Sequence, residues 1–207
     1  MEMERRAFLV EELRAIDGDE PEIVGYAAVF NAMSEDLGGF REKIQQGAFS
    51  ESILVDDIRA LFNHDPNYVL GRNRSGTLEL SEDIQGLRIR VKVPNTSWAR
   101  DLMESIKRGD INQMSFGFRT VKDLWEETNK KVVRTLQEVK LFDVSPVTYP
   151  AYPQTSATVR SAFESFTAER QVSEDGAEER AKAQARLANR KRKLDLLKIK
   201  LVKNKEK

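Results

Sequence analysis

The chain has 207 residues, a length that suits one domain of ordinary size plus an extension. Its 33% charged residues exceed the usual share of about 25%, so part of the chain is expected to be poorly buried. Because it has no cysteine and one histidine, the sequence excludes disulfides, a thiol nucleophile, thiolate metal sites and a multi-histidine zinc site. No motif for a metal or cofactor is visible, and we predict neither. The chain has no apolar run of membrane-spanning length and no signal-peptide pattern at its start, so we expect an intracellular protein.

The first half of the chain is dominated by predicted strands. Ile23–Phe30 is a nearly continuous apolar run of strand length, and two later segments alternate as a hairpin with one solvent-facing side. A short helix is predicted within Gly47–Ile53. The predicted strands are Ile23–Phe30, Phe40–Ile44, Ile58–Phe62, Thr77–Leu80 and Leu87–Val93.

The second half of the body predicts one clear helix and two longer strands. Thr96 is placed to cap a helix that runs to Arg108 and stops at Gly109. Gln113–Trp125 and Val132–Val144 are predicted as strands, after which Pro146, Pro150 and Pro153 are expected to end regular structure. We therefore expect an α+β fold, with a mostly antiparallel β-barrel or curved sheet flanked by a few helices.

The end of the chain is strongly basic although the formal net charge is zero. Residues 180–207 hold 12 basic and 2 acidic residues, a net charge of +10, so residues 1–179 carry −10. We predict a domain over residues 1–160, a polar linker over 161–179 and a basic helical tail over 180–207. Leu187, Leu194 and Leu201 recur every seven residues, as in a short amphipathic or coiled-coil helix. The tail could be a solvated helix, a docking segment for an acidic protein or a nucleic-acid contact; it has no interleaved aromatic residues, which counts against nucleic acid.

Three spots in the body could carry chemistry. His64, in LFNHD, is the only imidazole and lies at the end of a predicted strand. Ser115 shares a strand face with Gly117, opposite Met114, Phe116 and Phe118. Two acids, Glu138 and Asp143, lie on opposite faces of the following strand if that strand is regular. A serine nucleophile needs a nearby base and an orienting partner for that base, and these residues supply all three types. Each of them could equally be an ordinary strand residue.

The body resembles the prohead maturation proteases of tailed bacteriophages, which are similar in fold to the herpesvirus capsid-maturation protease, assemblin. The resemblance covers about residues 20–160 and rests on several stretches in the family's order. The most specific are LFNHD, QMSFGF and DVSPVTYPAY; the others are GYAAVFN, REKIQQGAFSESI, GTLEL and GLRIRVKVPNT.

The resemblance implies a serine endopeptidase that acts in procapsid maturation. Carried onto this sequence, it makes His64 the general base and Ser115 the nucleophile, with Glu138 as the favoured third member and Asp143 as the alternative. The implied partners are the major capsid protein and its scaffolding segment or a scaffold protein, with self-cleavage and a homodimer as further options. The implied location is the assembling procapsid in the host cytoplasm. A non-catalytic scaffold or capsid-assembly protein that retains the fold is the alternative.

Overall fold

The computed structural model describes residues 3–9, 13–129, 131–149 and 159–171, together with residues 180, 182, 184 and 186. The strands are β1 Glu4–Leu9, β2 Arg14–Ile16, β3 Glu22–Val29, β4 Phe40–Ile44, β5 Arg59–Phe62, β6 Asp65–Arg72, β7 Leu78–Glu82, β8 Gly86–Lys92, β9 Gln113–Thr128 and β10 Lys131–Val147. The helices are α1 Ser50–Val55, α2 Ser97–Lys107 and α3 over 159–171, and a 3₁₀ turn covers Asn73–Ser75.

The strands form two sheets around one apolar core. The larger sheet has the order β1-β9-β10-β5-β6, with β4 also paired to β10, and the smaller has the order β2-β3-β8-β7. β10 pairs antiparallel with β9 and parallel with both β4 and β5. Neither strand order closes on itself within the described residues, so the α+β prediction is confirmed in its curved-sheet form rather than as a barrel.

Alternation along β9 builds both the core and the candidate site. Met114, Phe116 and Phe118 are fully buried in the core, whereas Ser115 and Gly117 occupy the opposite face of the same strand. The predicted strand face is therefore confirmed. Strands β3, β4, β5, β7 and β8 also lie where the sequence predicts them, within one or two residues at each end.

Helix α2 also forms as predicted and buries Leu102, Met103 and Ile106. Gly109 follows its last turn with a φ of 78°, a left-handed conformation that glycine adopts without steric cost. The capping role predicted for Thr96 is wrong, because its hydroxyl makes no cap hydrogen bond and is buried without a partner.

The structure departs from the sequence analysis at two prolines, for the same reason. β6 is a strand that the sequence does not predict, and it contains Pro66. Pro146, expected to end regular structure, lies inside β10 one residue before its end. Proline is tolerated at edge strands and strand ends, where its missing N–H removes no ladder bond. β6 is an edge strand, and Pro146 contributes its carbonyl, which accepts a hydrogen bond from the Asn63 amide at 3.0 Å. Pro150 and Pro153 lie outside the described residues.

The chain divides into two compact units, Met1–Arg160 and Ser161–Lys207. In the second unit, helix α3 extends to residue 171, into the segment predicted as a linker. Of the basic tail, the described positions 180, 182, 184 and 186 are helical and exposed, and the rest of the predicted tail helix lies outside the described residues. The segment boundaries 160, 179 and 207 stay predictions. Among the described helices, none has the length and apolar character needed to cross a membrane.

A buried group of ion pairs joins β1, β4, β9 and β10, and we refer to it as the ion-pair cluster. Its members are Glu4, Arg6, Glu42, Asp123 and Arg134. Arg134 is at its centre, with its guanidinium 2.8 Å from Glu4, 2.9 Å from Glu42 and 2.7 Å from Asp123. The sequence analysis did not predict this cluster.

Candidate active site

The nucleophile candidate lies in the middle of the larger sheet. Ser115 is on β9, between Ala7 of β1 on one side and Ser145 of β10 on the other. The residue is fully buried, and its Oγ is 2.7 Å from Nε2 of His64. The two residues singled out from the sequence, 51 positions apart, therefore meet within hydrogen-bond distance.

His64 reaches Ser115 from the tip of the β5–β6 hairpin. Asn63 and His64 form the two-residue turn between the strands, with φ values of 55° and 57°. Two consecutive left-handed residues are the mark of a type I′ turn, the connection that suits the twist of a hairpin. Asn and His are among the non-glycine residues that adopt this conformation most readily. The turn projects the imidazole over the end of β10, where its side chain is only 6% exposed.

The side chain of Asn63 ties this turn to the segment just after β10. Its Oδ1 accepts a hydrogen bond from the Thr148 amide at 2.8 Å, and its Nδ2 donates to Thr148 Oγ1 at 3.1 Å. Its own amide donates to the Pro146 carbonyl. These three bonds fix the position of the turn that carries His64.

Asp143 is the carboxylate that contacts His64. Its Oδ2 is 2.5 Å from His64 Nδ1, and the aspartate side chain is 8% exposed. The same Oδ2 accepts a hydrogen bond from Ser145 Oγ at 2.7 Å. Asp143 pairs with Gly117 across the ladder, and a Cβ at position 117 would collide with Asp143 Oδ1. Glycine at this position therefore leaves the space that the carboxylate fills.

Glu138 lies elsewhere. It pairs with Lys122 in the ladder and is seven residues from Ser145, which corresponds to about 23 Å along a strand. β10 contains irregularities on both sides of Glu138 and between Leu141 and Asp143. Such bulges change which face a residue occupies, so counting by twos from the sequence fails here. The geometry therefore favours Asp143, the alternative, over Glu138 as the partner of His64.

The hydrogen bonds define which atoms carry protons. A carboxylate only accepts hydrogen bonds, so His64 Nδ1 donates to Asp143. In a neutral imidazole the other ring nitrogen is then an acceptor, and Ser115 Oγ donates its proton to Nε2. This is the arrangement that a serine nucleophile requires: a hydroxyl on a base, and the base held in one tautomer by an acid.

Asn63 and Ser145 were not identified from the sequence as parts of the site. Asn63 directly precedes His64, and a left-handed turn is one reading of an Asn-His pair between two short apolar strands. Ser145 lies in the stretch DVSPV and is a small polar residue within a run that is otherwise buried. Neither signal indicates the partner of the side chain without the fold.

The chain is similar to known phage proteases. The family described as caudovirus prohead serine protease matches residues 10–169. The prohead protease of Enterobacteria phage HK97 is 27% identical over 161 residues, which cover 75% of this chain and 67% of the relative. Among solved structures, the bacteriophage T4 capsid assembly protease gp21 aligns with a TM-score of 0.47 and 14% identity, over 72% of this chain and 98% of the other.

The family match covers more than half of the chain and includes the whole β5–β10 region described above. The HK97 relative carries the same description, that of a prohead protease. The chain therefore belongs to the family of caudovirus prohead serine proteases, whose place is in phage capsid maturation.

Proposed function

We propose that the protein is a serine endopeptidase in which Ser115 is the nucleophile, His64 the general base and Asp143 the acid that orients the base. The observation that carries the proposal is the continuous chain of hydrogen bonds from Ser115 Oγ through His64 to Asp143 Oδ2. Membership of a serine protease family supports the same assignment.

The mechanism is acyl transfer in two halves. His64 Nε2 takes the proton of Ser115 Oγ as that oxygen bonds to the scissile carbonyl carbon. The imidazolium, stabilised by Asp143, then gives the proton to the amide nitrogen, and the C–N bond breaks to leave an acyl-enzyme and a free amine. In the second half the oxygen of water bonds to the acyl carbon as His64 Nε2 takes its proton; the ester C–O bond then breaks, the carboxylic acid product leaves, and His64 returns the proton to Ser115 Oγ. His64 must be neutral at the start of each half.

We further propose that the substrate is a capsid or scaffold protein within the assembling procapsid. The function of the HK97 relative, a prohead protease, supports this substrate class. The basic tail, with its net charge of +10, would suit docking on acidic scaffold or capsid surfaces. Self-cleavage and dimerisation belong to the same proposal.

Co-expression with the capsid protein tests the proposal. Replacing either Ser115 or His64 by alanine should abolish processing, since losing the nucleophile or base of a working triad costs about 10⁴–10⁶ in rate. The readout is the size of the capsid protein on gels and by mass spectrometry.

Two measurements make this test decisive. Thermal unfolding of both variants should stay near that of the wild type, which excludes misfolding as the cause. Diisopropyl fluorophosphate should label the wild type and not Ser115→Ala, whatever the peptide specificity. Processing that persists in Ser115→Ala would overturn the serine mechanism, and a wild type that neither processes nor labels would favour a non-catalytic assembly protein.

A further inference from the structure

A second serine lies directly across the ladder from the nucleophile. Ser145 is the register partner of Ser115, and like Ser115 it is fully buried. Its neighbours along β10, Val144 and Pro146, are apolar, and Val144 is fully buried as well. Burying a hydroxyl in such surroundings costs free energy unless the hydroxyl is hydrogen bonded. The partner of the Ser145 hydroxyl therefore indicates its role.

That bond goes to the acid of the triad. Ser145 Oγ donates to Asp143 Oδ2 at 2.7 Å, the same oxygen that accepts from His64 Nδ1 at 2.5 Å. A single carboxylate oxygen thus holds both donors. A hydrogen bond to a charged acceptor fixes its position and spreads its negative charge, which weakens its pull on the neighbouring donor.

We propose that Ser145 is a positioning residue that orients Asp143 and limits how strongly Asp143 stabilises the protonated form of His64. This inference rests on the proposed function, since it needs the Ser115–His64–Asp143 arrangement to be catalytic. Ser145 does not touch the reacting atoms; it acts through the carboxylate. Without the hydroxyl of Ser145, Asp143 would be oriented by one donor fewer, and its undivided charge would hold the imidazolium more tightly.

Loss of the Ser145 hydroxyl should change the pH dependence of the reaction. An imidazolium that is held more tightly gives up its proton less readily, so the base becomes active only at higher pH. Ser145→Ala should therefore lower the rate at which Ser115 reacts and also move the acid limb of the pH profile to higher pH. A hydroxyl with a merely structural role would change the stability of the fold and leave that limb in place.

The chain offers a matched control in Ser52. This serine is also buried, and its Oγ donates to the carboxylate of Asp56 at 2.8 Å and accepts from the Leu141 amide of β10 at 2.8 Å. Ser52→Ala removes a buried hydroxyl on helix α1 that bonds to the same strand, β10, without touching the triad. It reports what a lost serine–aspartate bond does to the fold alone.

The experiment measures the second-order rate constant for labelling by diisopropyl fluorophosphate, in the full-length protein, from mildly acid to mildly alkaline pH. We expect Ser145→Ala to lower this constant about tenfold and to shift the acid limb upward by about half a pH unit, as loss of a charge-assisted hydrogen bond predicts. Ser145→Thr, which keeps a hydroxyl, should restore both. Ser52→Ala should lower the melting temperature and leave the labelling profile unchanged.

Ser145→Cys, with a weaker donor of similar volume, gives the same readout if the alanine variant does not fold; it should fall between alanine and wild type. The inference is overturned if the profile of Ser145→Ala matches that of the wild type, or if Ser52→Ala shifts the acid limb equally. Failure of the proposed function looks different, because labelling of the wild type would then be absent or would survive Ser115→Ala.

Discussion

The ion-pair cluster and the candidate active site share strands β9 and β10 but use their polar groups in different ways. In the cluster, Arg134 contacts three carboxylates, and Arg6 contacts two of the same groups. In the site, one carboxylate contacts the imidazole of His64 and the hydroxyl of Ser145, and the imidazole contacts the hydroxyl of Ser115. In the cluster, charged groups pair with groups of opposite charge. In the site, the hydrogen bonds form a chain that ends at the hydroxyl of Ser115.

This difference separates stability from chemistry. Buried charges that are mutually paired have little to gain from a proton transfer, since any neutralisation leaves a partner uncompensated. In a line of hydrogen bonds that ends in a nucleophile, the proton that moves to the imidazole creates a cation beside the carboxylate of Asp143, and the two charges compensate each other. The comparison predicts that changes at one end of β9 and β10 reduce activity, and changes at the other end reduce stability.

The largest expected effect tests which acid belongs to the site. Asp143→Asn should lower the labelling rate and the processing of capsid protein by about 10⁴, because the amide favours the wrong imidazole tautomer. Glu138→Gln, on the same strand, should change either rate by less than about threefold, since Glu138 lies far from His64. Equal losses in the two variants would contradict the assignment of Asp143.

The second largest effect is expected on stability, in the ion-pair cluster at the other end of β9 and β10. Arg134→Ala should lower the free energy of unfolding by about 3–5 kcal/mol, because it leaves buried carboxylates without a partner. Denaturant titration measures the loss.

Arg90 supplies the matched control for Arg134. It pairs with Glu22 at 3.4 Å with its side chain 47% exposed, so Arg90→Ala should cost no more than about 1 kcal/mol. If the folded Arg134 variant lost labelling activity at a temperature where it is native, the separation of the two regions would fail.

A smaller effect is expected at the turn that carries the base. Asn63→Gly keeps the left-handed backbone but removes both side-chain bonds to Thr148. We expect a loss in labelling rate of about tenfold, because His64 is then held less closely over Ser115. Asn67→Gly, at an exposed position of the same hairpin, is the control and should have no effect on the rate. An unchanged labelling rate in Asn63→Gly would mean that the turn keeps its shape without the two side-chain bonds to Thr148.

The smallest effect is the acid response of the ion-pair cluster. Burial raises the pKa of the Glu4 carboxyl, but the hydrogen bond and charge of Arg134 and the charge of Arg6 outweigh it and hold the pKa below its ordinary value of 4.5. A carboxyl whose pKa is lower in the folded state stabilises the fold fully above the unfolded value. That contribution is lost as the pH falls through 4.5 toward the lower folded value.

Melting temperatures measured against pH should therefore fall more steeply below 4.5 in the wild type than in Glu4→Gln, which lacks the titrating group. Parallel curves for the two proteins would show that Glu4 contributes nothing to acid sensitivity. Labelling by diisopropyl fluorophosphate at neutral pH should be equal in both.

The sequence predicted what depends on local patterns. The face that carries Ser115 follows from the alternation of Met114, Phe116 and Phe118, and helix α2 follows from its apolar spacing and Gly109. The preference for Glu138 over Asp143 is not supported by the geometry, and alternation could not have corrected it, because bulges in β10 change which face each residue occupies.

Features made of distant residues were also out of reach. The ion-pair cluster joins Glu4, Glu42 and Arg134, and each of these alone looks like a solvated strand charge. Strand β6 was missed because Pro66 and Asn67 resemble a loop, and only the position of β6 at the sheet edge explains why proline is acceptable there.

The central position of β10 has a consequence for how the enzyme is made. This strand contains Asp143, Ser145, which pairs with Ser115, and Pro146, whose carbonyl anchors the turn of His64. Among the described strands it is the last to be synthesised. A ribosome-bound chain that stops before residue 131 already contains Ser115 and His64. It lacks Asp143 and the strand β10, which lies between β9 and β5 in the sheet. Under the proposed mechanism, the growing polypeptide is therefore inactive until this strand has emerged from the ribosome and joined the sheet.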